Sequence, residues 1–262
     1  MIDYNILSKI IYTISDAKLH NIHLLSELYT LNTDNIHEYF NAMYELGINV
    51  LMKQNKYCYL KEPIHLLNKK FIYKNLPKNK ILIFDIINST NQYLVKNISK
   101  LKSGDACIAE YQTHGKGKRG KKWLASFGKN ICLSVYWSMH KPLINFSELS
   151  IKIGKIITKT LINFGMSKIR IKFPNDILIK DKKIAGILIE TCSNKKIDII
   201  IGIGININMN DYYSKLINIK WTDFDRCNMK IDRSLLIVKI ISSLNSYLKK
   251  IQNRHRILFN KN

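Results

Sequence analysis

Three glycines and five cations fall within nine residues, Gly115-Lys-Gly-Lys-Arg-Gly-Lys-Lys-Trp123. Glycine lets a backbone approach a ligand closely and adopt positive φ. Lysine and arginine bring charge to phosphate or carboxylate groups. Together they describe a loop that closes over an anion; the plainer reading is a solvated basic hairpin. Gly115-x-Gly117-x-x-Gly120 satisfies the dinucleotide fingerprint, which needs a strand before it and a helix after it. Cys107 to Gln112 has strand character, but the next regular run, Ile131 to Trp137, is also β-rich. Gly115 to Lys121 matches most of a P-loop, yet Lys122 stands where Ser or Thr must hold magnesium. The loop therefore joins two strands and is neither nucleotide motif.

Other chemistry-bearing residues sit at the ends of β-rich runs. A strand from Ile81 delivers Ser89-Thr90-Asn91 to a helix start, gathering hydroxyls, an amide and free backbone N–H groups. Plain N-capping is the alternative. Ile169 to Lys172 leads into a Pro-fixed turn that presents Asn175 and Asp176, and Asp176 can hold magnesium or a ribose. Lys183 opens an apolar strand containing Gly186. It is either a strand-edge gatekeeper or a cation aimed into a pocket at a carboxylate. Ile199 to Asn208, with Asn206, forms a buried strand whose Gly202 and Gly204 leave room for a ligand. Trp221 follows in a polar, mobile-looking stretch.

The elements that position these residues form two units. Residues 1–62 hold a helix with Ile6, Ile10, Ile11 and Ile14 on one face, then a short helix marked by Leu24, Leu25 and Leu28. A third helix is capped by Thr33 or Asp34 and ended by Gly47. A hairpin turning at Gln54-Asn55 follows. This is a winged helix-turn-helix pattern. Its third helix has no Lys or Arg but carries Asp34, Glu38 and Glu45, which argues against a major-groove role. Glu62-Pro63 and Asn68-Lys69-Lys70 read as linker, so residues 63–262 form the second unit. Within it, a long helix spans 148–165, a turn falls at Asp181-Lys182, and Asp232 caps a final helix. No further domain is expected in the tail from Arg254 to Asn262.

The net charge of +23 suggests nucleic acid at first sight. Only six of the 42 cations are arginine, so much of the charge reflects a general drift toward lysine. Five scattered cysteines without a Cys-x-x-Cys pair argue against a zinc site or a disulfide framework and fit a reducing cytoplasm. No signal peptide and no membrane-spanning run are expected.

Six segments occur in order: Ser89-Thr-Asn-Gln-Tyr-Leu94, Lys102 to Gln112, the Gly/Lys/Arg loop ending in Trp123, Lys172-Phe-Pro-Asn-Asp176, Lys183 to Glu190, and Gly202-Ile-Gly-Ile-Asn206. As a set they resemble the biotin protein ligases, specifically the bacterial bifunctional type that also represses the biotin operon. The resemblance implies an α+β fold, with an N-terminal winged helix-turn-helix and a mixed β-sheet catalytic domain related to class II aminoacyl-tRNA synthetases. It implies that biotin and ATP, with Mg2+, form biotinyl-5′-adenylate. Biotin then passes to a lysine of the biotin carboxyl-carrier protein of acetyl-CoA carboxylase. A homodimer and operator DNA are the further partners it implies. Ser89, Thr90, Asn91 and Gln112 resemble the group around the biotin ureido ring, with Lys116, Gly117, Lys118 and Gly186 also on the biotin side. Lys183 resembles the lysine beside the biotin carboxylate and α-phosphate. Gly115, Arg119, Gly120, Trp123, Lys172, Asn175, Asp176, Asn206 and Trp221 resemble adenylate positions, Asp176 also the magnesium position. Lys183, Arg119, Lys118 and Asp176 are the expected catalytic set.

The family loop usually reads Gly-Arg-Gly-Arg-Arg-Gly-Arg; here Lys116, Lys118 and Lys121 replace arginines, losing the planar fork. Phe173 replaces a usual tryptophan. An SH3-like C-terminal domain found in many relatives is expected to be missing. The rival readings are a DNA-binding repressor without significant ligase activity and a lipoate-type ligase.

Overall fold

The computed structural model describes residues 2–139, 145–193, 197–209, 216–217 and 219–259. In α1 (Tyr4–Ile14) the buried face is Leu7, Ile10, Ile11 and Ile14, and Asp3 caps its start. α2 (Ile22–Leu28) buries Ile22 and Leu25. Its Leu24 and Leu28 turn outward, 63% and 64% exposed. α3 (Thr33–Glu45) is capped by Asn32, whose side chain accepts from the Asn35 N–H. Thr33 and Asp34 are not the cap, because the chain is still extended at Asn32 and already helical at Thr33. Gly47 closes α3 at φ 78°. β2 (Val50–Lys53) and β3 (Tyr57–Leu60) are antiparallel, and Gln54 and Asn55 both take positive φ between them. The loop between the paired Lys53 and Tyr57 is three residues long, and Lys56 N–H closes it on the Lys53 carbonyl. The short β1 (His20–Asn21) completes a three-stranded sheet in the order β1-β3-β2.

Asn68 and Lys69 are not linker. Asn68 caps α4 (Lys69–Asn75), because its side chain accepts from the Phe71 N–H. Next come β4 (Ile81–Ile87), α5 (Thr90–Lys96), β5 (Ala106–Gln112), β6 (Asn130–Met139), α6 (Phe146–Asn163), β7 (Ile169–Lys172), β8 (Asp176–Ile179), β9 (Lys182–Ser193), β10 (Ile197–Asn206) and α7 (Arg233–Phe259). The seven strands form one mixed sheet, β4-β5-β6-β10-β9-β8-β7, parallel only between β4 and β5. The β8–β9 turn sits at Lys180 and Asp181, both at positive φ, one residue earlier than expected. The tail expected to carry no further domain falls partly outside the described residues, at 260–262.

Strand alternation divides the chemistry. Ile108, Val135, Trp137, Ile199 and Ile201 join the main core with α4, α6 and α7. Cys107, Tyr136 and Ile200 face the other way, under Leu94 of α5. That second face is lined with small residues: Cys107 pairs with Ser134, Ser134 with Gly202, and Gly204 with both Cys132 and Gly186. Small side chains on adjacent strands leave a depression, and the site lies there.

Two devices tie the chain together. Arg233 donates to Glu110 Oε2 at 2.7 Å, to the His65 carbonyl at 2.7 Å and to the Asn130 carbonyl at 3.0 Å, while Leu67 N–H reaches Glu110 Oε1. A buried ion pair survives desolvation only with such additional bonds. The second device joins the first sixty residues to the large sheet. Phe127, fully buried, completes the core around Ile10, Phe40 and Leu46, and its N–H bonds the Leu46 carbonyl at 2.9 Å. Tyr12 donates to Asp85 at 2.8 Å, and Lys69 pairs with the same carboxylate. Burial and this bond push the Tyr12 phenol up to about 12.

Candidate active site

A cleft opens over the small-residue face. Ser89, Thr90, Asn91, Gln112, Lys116, Gly117, Lys118, Trp123, Asn175, Lys183 and Gly186 line it, all expected from sequence. The polar cluster is built by the β4–α5 junction. Ser89 is the N-cap of α5, at 3.5 Å from the Gln92 N–H, so the capping and site readings both hold. Thr90 N–H donates to Gln112 Oε1 at 2.8 Å. Ser89, Thr90 and Asn91 are almost fully buried, with Gln112 8% exposed.

The basic loop is folded as a hairpin. Lys116 bridges to Lys122, Gly117 N–H reaches the Lys121 carbonyl at 2.7 Å, and Trp123 N–H reaches Gly115 at 2.9 Å. This shape puts Lys116, Gly117 and Lys118 over the cleft. Gly115 stands at its base, while Arg119, at φ 55°, and Gly120 are exposed at the tip.

Lys183 is the cation inside. Its Nζ lies 2.7 Å from Asp176 Oδ1 and 5.6 Å from the centroid of the Trp123 ring. The pocket reading of Lys183 therefore replaces the gatekeeper reading. Asp176 Oδ1 is buried with no other partner. Among the described residues no three His, Cys, Asp or Glu side chains converge as a metal centre.

Gly202 and Gly204 also line the cleft, and several other expected residues lie elsewhere. Gly202 and Gly204 do not leave empty space: an added Cβ would stand 2.4 Å from Asn91 Oδ1 and 2.4 Å from the Trp123 ring, respectively. The glycines admit those two side chains, which form the floor. Asn206 is 4% exposed, and its amide is engaged with Asn130 and with the Thr222 carbonyl. It supports the strand under Lys183. Lys172 is exposed beyond the lining. Trp221 is held rather than loose. It bridges to Lys183, and the Arg226 guanidinium stacks 4.0 Å from its ring centroid. Sequence reasoning missed Leu188, the apolar wall paired with Gly202, while Leu133, Ile187 and Ile203 border the cleft but belong with their side chains to the main core. Leu188 is indistinguishable from core until the register shows which strand face it occupies. Burial pushes the Cys132 thiol up to about 12 and raises Cys107 as well. Neither thiol supplies a nucleophile here.

The chain matches the biotin/lipoate A/B protein ligase family over residues 83–208. It is 35% identical over 251 residues to the bifunctional ligase/repressor BirA of Escherichia coli, covering 95% of this chain and 78% of that protein. The corresponding Salmonella typhimurium protein is 35% identical over 242 residues, 92% of this chain and 76% of its own length. The Aquifex aeolicus biotin protein ligase in complex with biotin and ATP superposes with a TM-score of 0.58 at 26% identity, covering 66% of this chain and 72% of that one. An anion-ready cleft on a mixed sheet agrees with 35% identity to the two ligase/repressors over more than nine-tenths of the chain: the chain belongs to the biotin protein ligase family, of the bifunctional ligase/repressor type.

Proposed function

We infer that this chain activates biotin with ATP and transfers it to a lysine of a biotin carboxyl-carrier protein. The observation that carries this is one cleft shared by the Ser89–Thr90–Gln112 cluster, apolar walls, the cation Lys183 and the Lys116–Lys118 roof. The polar cluster suits a ureido ring, and Trp123 and Leu188 an aliphatic chain. A carboxylate is a poor acyl donor, so its oxygen attacks the α-phosphorus of ATP and pyrophosphate leaves. Lys183 faces the carboxylate and α-phosphate and stabilises the charge that develops there. The roof keeps water from the mixed anhydride until the carrier amine attacks the acyl carbon and AMP departs. Asp176 alone is no resident metal site. It fits magnesium arriving on ATP, an ion held by one or two carboxylates plus phosphates. Incubation with a carrier domain, biotin and ATP should add one biotinyl group to the carrier by mass spectrometry. A carrier of unchanged mass would sink the reading, and lipoylation instead would favour the lipoate alternative.

Lys118 in the roof replaces the fork of an arginine by a point charge. Lys118→Arg is expected to slow escape of biotinyl-adenylate about fivefold, on the order of 1 kcal/mol. Escape at an equal or faster rate, measured by rapid filtration, would overturn this.

The helices and small sheet of residues 1–62 support a winged helix-turn-helix reading, with residues 63–262 as the catalytic domain. On α3 the exposed residues include Asp34, Glu38 and Glu45. Phosphates repel such a face, so operator binding and repression are expected to be weak. A sequence-selective gel shift at nanomolar protein, persisting in salt, would refute that expectation. Homodimer formation rests on the resemblance, and sedimentation with and without biotinyl-adenylate tests it. No helix among the described residues is long and apolar enough to cross a membrane. The ATP-dependent reaction fits a cytoplasmic protein.

A further inference from the structure

The stretch after Trp221 is held by a pair of side chains that the reaction described above leaves unused. Asp223 is fully buried. Its Oδ1 accepts from the Arg226 N–H at 2.8 Å and its Oδ2 from the Met209 N–H at 3.0 Å, and the carboxylate pairs with the Arg226 guanidinium. Such bonds are what a buried carboxylate needs. The guanidinium in turn stands 4.0 Å from the centroid of the Trp221 ring. Trp221 is anchored through its backbone surroundings as well. Lys183 N–H donates to the Lys220 carbonyl and Thr222 N–H to the Lys183 carbonyl, both at 2.9 Å. Trp221 is thus bridged to Lys183, and directly paired residues send their side chains to the same side. Lys183 points into the cleft, so Trp221 leaves the bridge on that side, next to the catalytic cation and just outside the lining. Phe224, fully buried in the main core, pins the middle of the stretch.

Charge alone does not call for an arginine here. Only six of the 42 cations in this chain are arginine, and an ammonium would pair with Asp223 as well. What arginine adds is a plane that stacks on an aromatic face. Held by Asp223 on one side, the guanidinium fixes the angle of the indole on the other. We propose that Arg226 and Asp223 are positioning residues that hold Trp221 as a ready face for the base of ATP, so that nucleotide binds without biotin having bound first. A loose indole would have to be ordered by the incoming nucleotide, at a cost to affinity. A ring already held removes that cost. The proposal rests on the ligase reading above.

The test uses α,β-methylene ATP, which cannot release pyrophosphate, in titration calorimetry with Mg2+ and no biotin. The wild type should bind it. Arg226→Ala should weaken that binding about tenfold and Arg226→Lys about threefold, since lysine keeps the pair with Asp223 but loses the plane. Biotin affinity should be unchanged in both variants. So should the inhibition of biotin transfer by inorganic tripolyphosphate, which carries the phosphates and no base. An inhibition constant for tripolyphosphate that rises with the dissociation constant of the ATP analogue would make Arg226 a phosphate contact and overturn the proposal. A parallel loss of biotin affinity would mean a structural role only and overturn it too. Equal affinity for the analogue in all three proteins would do the same, as would a wild type that binds it only once biotin is present. Removing the arginine leaves Asp223 buried without its cation, so Arg226→Lys keeps the test open if Arg226→Ala misfolds. Failure of the ligase reading looks different: the wild type would bind no biotin and modify no carrier.

Discussion

Lys183→Ala is expected to slow biotinyl-adenylate formation about 10²–10³-fold, the usual cost of removing one group aimed at developing charge. The Lys183 side chain is 18% exposed and its partner Asp176 25%, so both are shielded from water but not sealed from it. Without a ligand the two charges satisfy each other at 2.7 Å. Removing the ammonium leaves Asp176 facing an incoming carboxylate and phosphates with no cation between them. Repulsion then adds to the lost attraction. Trp123 supports the ammonium from beneath through its ring face, so the lysine is already placed when substrate arrives. The fold should tolerate the change, because a partly exposed ion pair contributes little net stability. Quenched-flow measurement of pyrophosphate release, with both substrates saturating, checks the rate. A loss of less than threefold would remove Lys183 from the catalytic set.

Phe127→Ala is expected to cost about 3–5 kcal/mol. Phe127 is among the largest fully buried side chains, and it lies in a core whose other buried members all come from residues 7–64. For a chain of this size, such a loss lowers Tm by roughly 6–20 °C. The effect should reach the cleft. Phe127 follows Trp123 by four residues, and Ala125 between them packs with the Trp123 ring. Biotin affinity should therefore weaken with stability. Deleting residues 1–62 should act in the same direction while leaving some ligase activity. Calorimetry decides the matter: a Tm shift under 2 °C in Phe127→Ala would show that the two units do not share this core.

The sequence made the cleft legible where chemistry and spacing coincide. Ser89-Thr90-Asn91 at a strand end, Lys183 beside glycines and the Gly/Lys/Arg loop were all visible as clusters of unusual residue types. The roles of Gly202 and Gly204 were not. A strand glycine signals that something approaches, and only the register between β6, β9 and β10 shows that the approaching groups are Asn91 and Trp123. Asn206 misled for a related reason. An asparagine after Gly-x-Gly carries the same signal whether its amide meets a ligand or, as here, Asn130 and Thr222. Asn68 looks like linker in the sequence because its polar neighbours hide a cap.

The place of β10 in the sheet has a consequence for the order in which the chain is made. β10 inserts between β6 and β9, so β6 lacks its second neighbour until residues 197–206 leave the ribosome. Glu110 stays without its guanidinium until Arg233 follows, 123 residues later. The first sixty residues also wait, for Phe127. Contacts this distant in sequence close slowly and leave apolar strands bare meanwhile. Nascent chains stalled before residue 197 should bind chaperones and yield readily to protease, and those released beyond residue 240 should resist it.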